Sequence, residues 1–386
     1  MVIKMKIVIA PDSFKGSLSA QQAAAIIQKA FQNHFTKAEI LTVPLADGGE
    51  GTAQALVAAT HGSFYEVEVL DAYHRPTKAQ FGLLGDQKTA IIEMATASGI
   101  QFKPQPTQSI LDATTYGTGQ LVTAALDLGV KHLIIGLGGS ATNDGGAGMA
   151  QALGIRFLDA NQQELPFGGG YLTDLTTIDC THLDPRLKDT TITLACDVTN
   201  PLLGSQGATQ VFSSQKGANT QQQLILEQSL SNYATIIARQ FHKNINIPGA
   251  GAAGGLAAGF LAFTPAKIAS GIETVIAATD LKQHLKQADL VITGEGSIDY
   301  QTQFGKTPFG VLKATQEVAP NSPVIGLAGR LGSDLDTLYD LGFTAFFSIT
   351  PQAMPLSEAL ATAPKNLQQT ADNLARLIKS QQKPPL

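Results

Sequence analysis

The chain has 386 residues, enough for two domains or one large α/β unit. It is 44% hydrophobic but only 15% charged, against about 25% charged in an average soluble domain, so a sizeable core is available and much of the surface must be uncharged polar. A net charge of −5 with no basic block argues against a cationic nucleic-acid face, and two cysteines, Cys180 and Cys196, allow neither a disulfide framework nor a zinc cluster.

The first apolar run, 5–10 (MKIVIA), reads as a buried strand. Lys4 and Lys6 break the apolar start and Pro11-Asp12 follows at once, which argues against a signal peptide. Ser19 and Gln22 carry a capping-box signature. Ala20, Ala23, Ala24, Ile27, Ala30 and Phe31 then recur at helical spacing, and 39–43 is the next strand, so the chain opens β-α-β. Runs 66–70, 79–83 and 89–94 suggest three successive strands. A helix follows from about Gly119, with Leu121, Ala124, Ala125 and Leu128 on one face and Gly129 as its stop.

Runs 132–137 (HLIIGL) and 191–196 (TITLAC) are further strands, and a helix from Leu224 carries Leu230, Tyr233, Ile237 and Phe241. The least polar stretch, 250–263 (AGAAGGLAAGFLAF), is too short and glycine-rich to span a bilayer, so a cytoplasmic, non-membrane protein is expected. The last hundred residues alternate cleanly. Strands 289–293 (DLVIT), 323–328 (PVIGLA) and 343–349 (FTAFFSI) are separated by helices, a final helix spans 356–379, and 380–386 reads as a frayed tail.

Short strands that are apolar on both sides suit a parallel sheet covered by helices. The expected fold class is therefore α/β. A parallel Rossmann-like or flavodoxin-like domain is built from both chain ends, 1–64 and 285–386, and a mixed α/β domain, 65–284, is inserted in it.

Six loops mix glycine with acids, hydroxyls or lysine: 11–17 (PDSFKGS), 46–52 (ADGGEGT), 138–148 (GGSATNDGGAG), 196–204 (CDVTNPLLG), 249–255 (GAGAAGG) and 294–307 (GEGSIDYQTQFGKT). In open α/β sheets the carboxyl ends of the strands form the binding crevice. Glycine there lets backbone N–H groups approach a phosphate, which marks Gly48, Gly49, Gly138, Gly139, Gly294 and Gly296. In the third loop Ser140, Thr142 and Asn143 could bind phosphate or a hydroxyl-rich acid, and Asp144 could hold Mg²⁺; the same residues could equally be a capped βα turn.

Two partial motifs overlap these loops. Residues 136–141 (GLGGSA) fit a dinucleotide fingerprint with Asp159 as its ribose-binding acid, although the polar cluster before Gly145 delays the helix that the fingerprint requires. Gly305-Lys306-Thr307 resembles the end of a P-loop, but Tyr300 stands where the first glycine is required, so Walker A is rejected. Lys306 remains a phosphate cation at a helix start, with Pro308 suited to the first turn.

Glu295, Asp299, Asp47 and Glu50 are candidates for Mg²⁺ or for positioning water, with turn capping as the alternative. Asp197 follows a strand directly, with Asn200 three residues on, and could take the proton of a hydroxyl attacking phosphorus. Lys15 and Lys216 are the other cations within glycine-rich segments. No Ser-His-Asp order, nucleophile elbow or reactive-cysteine setting appears, and the pattern favours phosphoryl transfer.

The ordered segments PDSFKGSLSA, PLADGGEGT, TTYGTGQL, IIGLGGSATNDGGAGM, ACDVTNPL, PGAGAAGG and VITGEGSIDYQTQFGKTPFGV resemble the type-1 glycerate kinase family, from residue 5 to about 325. The resemblance implies ATP-dependent phosphorylation of D-glycerate, in bacterial members usually at the 2-hydroxyl, with ATP and Mg²⁺ as cofactors. It also implies two α/β domains, one inserted in the other.

On that reading Asp197, Lys15 and Asp47 are catalytic, and Asp144, Glu295 and Asp299 are metal candidates. Ser140, Asn143, Asn200, Lys216, Lys306 and the six loop glycines bind substrate or phosphate. Three places depart from the family's usual pattern: Ser297 stands where an arginine follows GEG, 211–218 reads VFSSQKGA for VFGPQKGA, and 71–75 reads DAYHR where a Gly-Pro turn is usual. The rival readings are an NAD-dependent 2-hydroxy-acid oxidoreductase using GLGGSA and a non-catalytic metabolite-binding protein.

Overall fold

The computed structural model describes residues 5–49 and 51–381. Its strands are β1 Lys6–Pro11, β2 Glu39–Thr42, β3 Ser63–Leu70, β4 Pro76–Leu83, β5 Thr89–Glu93, β6 His132–Gly136, β7 Arg156–Leu158, β8 Thr177–Asp179, β9 Thr191–Ala195, β10 Lys267–Ala269, β11 Leu290–Ile298, β12 Val324–Leu331 and β13 Ala345–Ser348. The chain divides into two compact units. The first takes the residues up to Asp47, Gln54–Thr60, and those from Ile272 on; the second takes Gly48–Ala53 and His61–Gly271. These junctions differ from the expected 64/65 and 284/285.

Unit one is a five-stranded sheet in the order β13-β12-β11-β1-β2, every pair parallel. Numbered by its own strands this is 2-1-3-4-5, the flavodoxin-like order. Ile7, Val8, Ile9 and Ala10 are fully buried, as a central parallel strand requires. The helix Ala20–Gln32 is fixed at its start by a reciprocal cap: Ser19 Oγ accepts from Gln22 N at 3.1 Å, and Ser19 N donates to Gln22 Oε1 at 2.9 Å. The six residues named from its periodicity are its buried ones. All but Ala20 join Ile7, Ile9, Leu367 and Leu374 in one core, the last two from the helix Leu356–Gln381. That helix includes Ser380 and Gln381, which the sequence reading places in a frayed tail; 382–386 lie outside the described residues.

Unit two is a six-stranded mixed sheet, β10-β9-β6-β5-β4-β3, parallel from β10 to β5 and antiparallel from β5 to β3, with β7 and β8 forming a separate antiparallel pair. Its helix Thr220–Phe241 begins four residues before Leu224, because Asn219 and Gln222 form a second capping box. The helix Ala252–Phe263 opens with Ala253, Gly254 and Gly255 in left-handed backbone. A Cβ at Gly254 would stand 2.0 Å from the Thr142 carbonyl oxygen, so glycine is required there by both conformation and space. Among the described residues no helix is long and apolar enough to cross a membrane.

Candidate functional site

In an open parallel sheet the ligand crevice forms where the strand order reverses, beyond the carboxyl ends of the strands. In unit one that place is between β1 and β11: β1 leads outward to β2, and β11 leads the other way to β12 and β13. Pro11 pairs with Gly294, and Asp12 N donates to the Gly294 carbonyl at 2.8 Å, so Asp12 and Glu295 emerge side by side on adjacent strands.

Glu295 is only 9% exposed. Its Oε1 accepts from Thr302 Oγ1 at 3.1 Å and lies 3.6 Å from Lys306 Nζ. Lys306 occupies the cap position of the helix Thr307–Val318 and also reaches the Ser297 carbonyl at 3.4 Å. The Thr307 hydroxyl donates to the Asp12 carboxylate.

Burial raises Glu295 to about 7; the charges of Asp12 and Asp47 add to the rise, while Lys306 and the Thr302 hydroxyl oppose it. Asp12 is raised to about 6, again chiefly by burial and also by Asp47, against the hydrogen bonds from Thr307 and Ser13. Lys15 is exposed in the loop after β1, and a Cβ at Gly296 would stand 3.3 Å from its backbone nitrogen.

Two sequence candidates in this unit have structural work. Asp299 caps the short 3₁₀ turn Tyr300–Gln303 through Gln301 N at 2.9 Å. Gly294 lies within β11, where a Cβ would stand 2.3 Å from the Leu327 carbonyl oxygen, so its glycine serves sheet packing. Glu295 and Ser297 were read as loop residues, but β11 continues to Ile298 because Glu295 pairs with Ala328 and Ser297 with Arg330. The cation missing at Ser297 thus has a register neighbour, Arg330, which is exposed on β12.

In unit two Asp197 follows β9, and its Oδ1 accepts from Gly271 N at 2.9 Å and from Ser270 Oγ at 3.2 Å. Gly48 packs against this segment in left-handed backbone (φ 96°). A Cβ there would stand 2.7 Å from Gly271 Cα and 3.6 Å from Asp197 Oδ2. A Cβ at Gly138 would be 3.8 Å from Gly49 Cα, so the two glycine pairs and Asp197 form one neighbourhood. Gly138 and Gly139 are exposed, whereas the rest of their loop turns inward.

That inward part is self-supporting. Asp144 is fully buried: Oδ2 accepts from Thr115 N and Oγ1, each at 2.8 Å, and from Gly148 N at 3.2 Å, and Oδ1 accepts from Gly146 N at 3.0 Å. Its carboxylate is committed to the turn entering the helix Ala147–Ala152, which realises the capped-turn alternative. Burial raises its pKa, against the bonds from Thr115, Gly146 and Gly148.

Asn143, also fully buried, donates to Thr209 Oγ1 at 3.0 Å and leaves Oδ1 without a partner. Lys216 donates to the Thr142 carbonyl at 2.7 Å. Burial lowers its pKa to about 7, with the Asp144 charge opposing. Asn200 braces its own loop through the Gln206 carbonyl at 2.8 Å, and Ser140, 8% exposed, bridges to Gly99.

The dinucleotide reading fails on topology. The strand bearing Arg156 pairs with β8, not with β6, and Asp159 closes a tight turn by accepting from Asn161 N and Gln163 N, each at 2.8 Å. The fingerprint's βαβ unit, with its acid on the adjacent parallel strand, is absent.

Among the described residues no group of three or more His, Cys, Asp or Glu side chains could hold a metal by themselves. Glu50 lies outside the described residues. Asp12 and Thr302, which adjoin Glu295, were not among the sequence candidates. Asp12 carried one usable signal, its place directly after a buried strand.

A family model described as the glycerate kinase family matches residues 7–379. The chain is 47% identical to glycerate 2-kinase of Escherichia coli strain K12, over 97% of this chain and 98% of that one. It is 48% identical to glycerate kinase of Bacillus subtilis strain 168, over 97% and 98%. It also matches a crystal structure described as that of glycerate kinase 2 from Salmonella typhimurium LT2, with a TM-score of 0.90 and 47% identity over 98% and 99% of the two chains.

Proposed function

The chain belongs to the glycerate kinase family, and on that premise we propose that it transfers the γ-phosphoryl group of ATP to the 2-hydroxyl of D-glycerate, giving 2-phosphoglycerate and ADP. The observation that carries this reading is similarity over nearly the whole of both chains to a glycerate 2-kinase. The geometry supports it. Phosphoryl transfer asks little covalent chemistry of a protein, and asks mainly for cations, N–H donors and a carboxylate beside the nucleophile.

In this reading Asp197, steadied by Gly271 N and Ser270 Oγ, accepts the proton of the attacking hydroxyl. The exposed backbone of Gly138 and Gly139, with Gly48, Gly49 and Ser140 close by, meets the hydroxy acid. Lys15 and Lys306 neutralise phosphate oxygens, and Asp47 adds its negative field to the carboxylates of unit one. Asn143, Asp144, Lys216 and Asn200 hold their loops in shape. Mg²⁺ would supply charge neutralisation between the phosphates. The same reading puts the reaction in the cytoplasm, where ATP is available.

Coupled ADP release tests it. ADP formation from ATP should appear with D-glycerate and be absent without it. Ligand binding without ADP release would favour the non-catalytic reading.

A further inference from the structure

We propose that Thr142, Asn143 and Lys216 seat the parts of the hydroxy acid that receive no phosphate. The Thr142 hydroxyl and Lys216 Nζ donate to its carboxylate, and Asn143 Oδ1 accepts from its second hydroxyl. This rests on the kinase reading above and deepens it, by naming the residues that tell the substrate from a hydroxy acid lacking that hydroxyl.

The observation that points to a ligand is a pair of orphaned atoms. Thr142 and Asn143 are both fully buried, and neither Thr142 Oγ1 nor Asn143 Oδ1 has a hydrogen-bond partner. Buried polar atoms left so are costly, and in folded proteins nearly all are met by something. Here they fall on consecutive residues, one able to donate and the other only to accept. Lys216 Nζ adds further donors, since its bond to the Thr142 carbonyl at 2.7 Å uses one of an ammonium's three hydrogens. Asp144, whose charge reaches Lys216, spends its oxygens on Thr115, Gly146 and Gly148. Donors beside a lone acceptor are the complement of a carboxylate beside a hydroxyl.

The place suits the reaction. The glycine run 249–255 packs between this loop and the one that carries Asp197. A Cβ at Gly254 would stand 2.7 Å from Asn143 Cα, and one at Gly251 would stand 2.2 Å from the Pro201 carbonyl oxygen and 3.0 Å from that of Asn200. The two loops are thus one glycine turn apart. The segment 208–217 covers the seat: Asn143 Nδ2 donates to Thr209 Oγ1 at 3.0 Å, and Lys216 fastens the turn Ser214–Lys216 to Thr142. Lys216 is partly exposed, and Gln215 and Gly217 beside it are exposed. Substrate enters as Lys216 exchanges the Thr142 carbonyl for the carboxylate. Tyr233 Oη is also unpartnered, but its ring packs among Phe157 and Phe263, so it supplies a control.

The test is steady-state kinetics with D-glycerate, with D-lactate, which lacks the second hydroxyl, as inhibitor, and unfolding temperatures alongside. In the native chain the Ki of D-lactate should lie at least about tenfold above the KM for D-glycerate. Thr142→Val should raise that KM about tenfold and leave the KM for ATP native, while the unfolding temperature holds or rises, because an unmet hydroxyl is gone. Thr142→Ser should restore the native KM. Asn143→Ala should bring D-glycerate down to the level of D-lactate, and Thr142→Val carries the test should that variant fail to fold. Tyr233→Phe should leave the KM for D-glycerate unchanged. A native KM in folded Thr142→Val would overturn the seat, and with a lowered unfolding temperature it would identify a hydroxyl met by internal water. The kinase reading would survive that result, because the native chain would still turn over ATP and D-glycerate. A native chain with no such turnover would remove both.

Discussion

At the scale of single residues, Asp197 carries the heaviest chemical claim and Lys216 the clearest linkage. Asp197→Asn keeps the side chain's shape and its ability to accept from Gly271 N, so the fold should persist while kcat falls roughly 10²- to 10⁴-fold. Near-native kcat in steady-state assays would remove Asp197 as the base. Arg330, in register with Ser297, should help meet anionic substrate; Arg330→Ala should raise KM for ATP or glycerate several-fold with little change in unfolding temperature.

Burial holds Lys216 at about 7, below an ordinary lysine at about 10.4. Between those values the unfolded chain binds a proton that the folded chain does not, so stability rises with pH across that window. Urea unfolding of the native chain and Lys216→Met at pH 7 and pH 9 should show the difference moving in the native chain's favour at the higher pH. A constant difference would mean the ammonium stays charged.

At this scale the sequence was an uneven guide. Lys306, Glu295 and Asp197 stood out because each sits among glycines after an apolar run. Asp12 did not, because it meets Glu295, nearly three hundred residues away, only through the β1–β11 register. Asn143, Asp144 and Lys216 were read as ligand-binding groups; their hydrogen bonds run to one another's loops, which local sequence does not display.

At the scale of elements, local signals were legible and pairing was not. The Ser19 cap, the buried face of Ala20–Gln32 and the stop at Gly129 all follow from contacts within a few residues. Ser19→Ala should cost about 1 kcal/mol in urea unfolding. The extension of β11 through Ile298 was invisible, because Gly294, Gly296 and Ser297 carry turn-like composition, and only hydrogen bonding to β12 keeps them extended.

Two glycines with left-handed backbone separate strain from space. Gly129 (φ 80°) has open space around a Cβ, so Gly129→Ala should cost about 1 kcal/mol of backbone strain. Gly254 (φ 66°) would set its Cβ 2.0 Å from the Thr142 carbonyl, which adds roughly 1–3 kcal/mol of overpacking and displaces the loop that carries Asn143. Equal unfolding midpoints for the two variants would contradict that close approach.

At the scale of the molecule, alternation of apolar runs and helices at both ends of the chain was enough to imply one parallel sheet built from the two ends, and the order 2-1-3-4-5 realises it. The unit junctions were less legible. The chain passes into unit two at Gly48, inside a glycine-rich run with no composition break, returns for Gln54–Thr60, and leaves again at His61. Glycine there answers the crowding against Gly271 as much as any ligand, so composition alone could not mark a boundary.

The bond this fold makes is a phosphate ester at the 2-hydroxyl of D-glycerate in the reading proposed above. Phosphorus NMR of the product formed from ATP and D-glycerate addresses it directly. A single new monoester resonance, that of 2-phosphoglycerate, should grow with ADP. A resonance of 3-phosphoglycerate, or consumption of ATP with no phosphorylated glycerate, would contradict it.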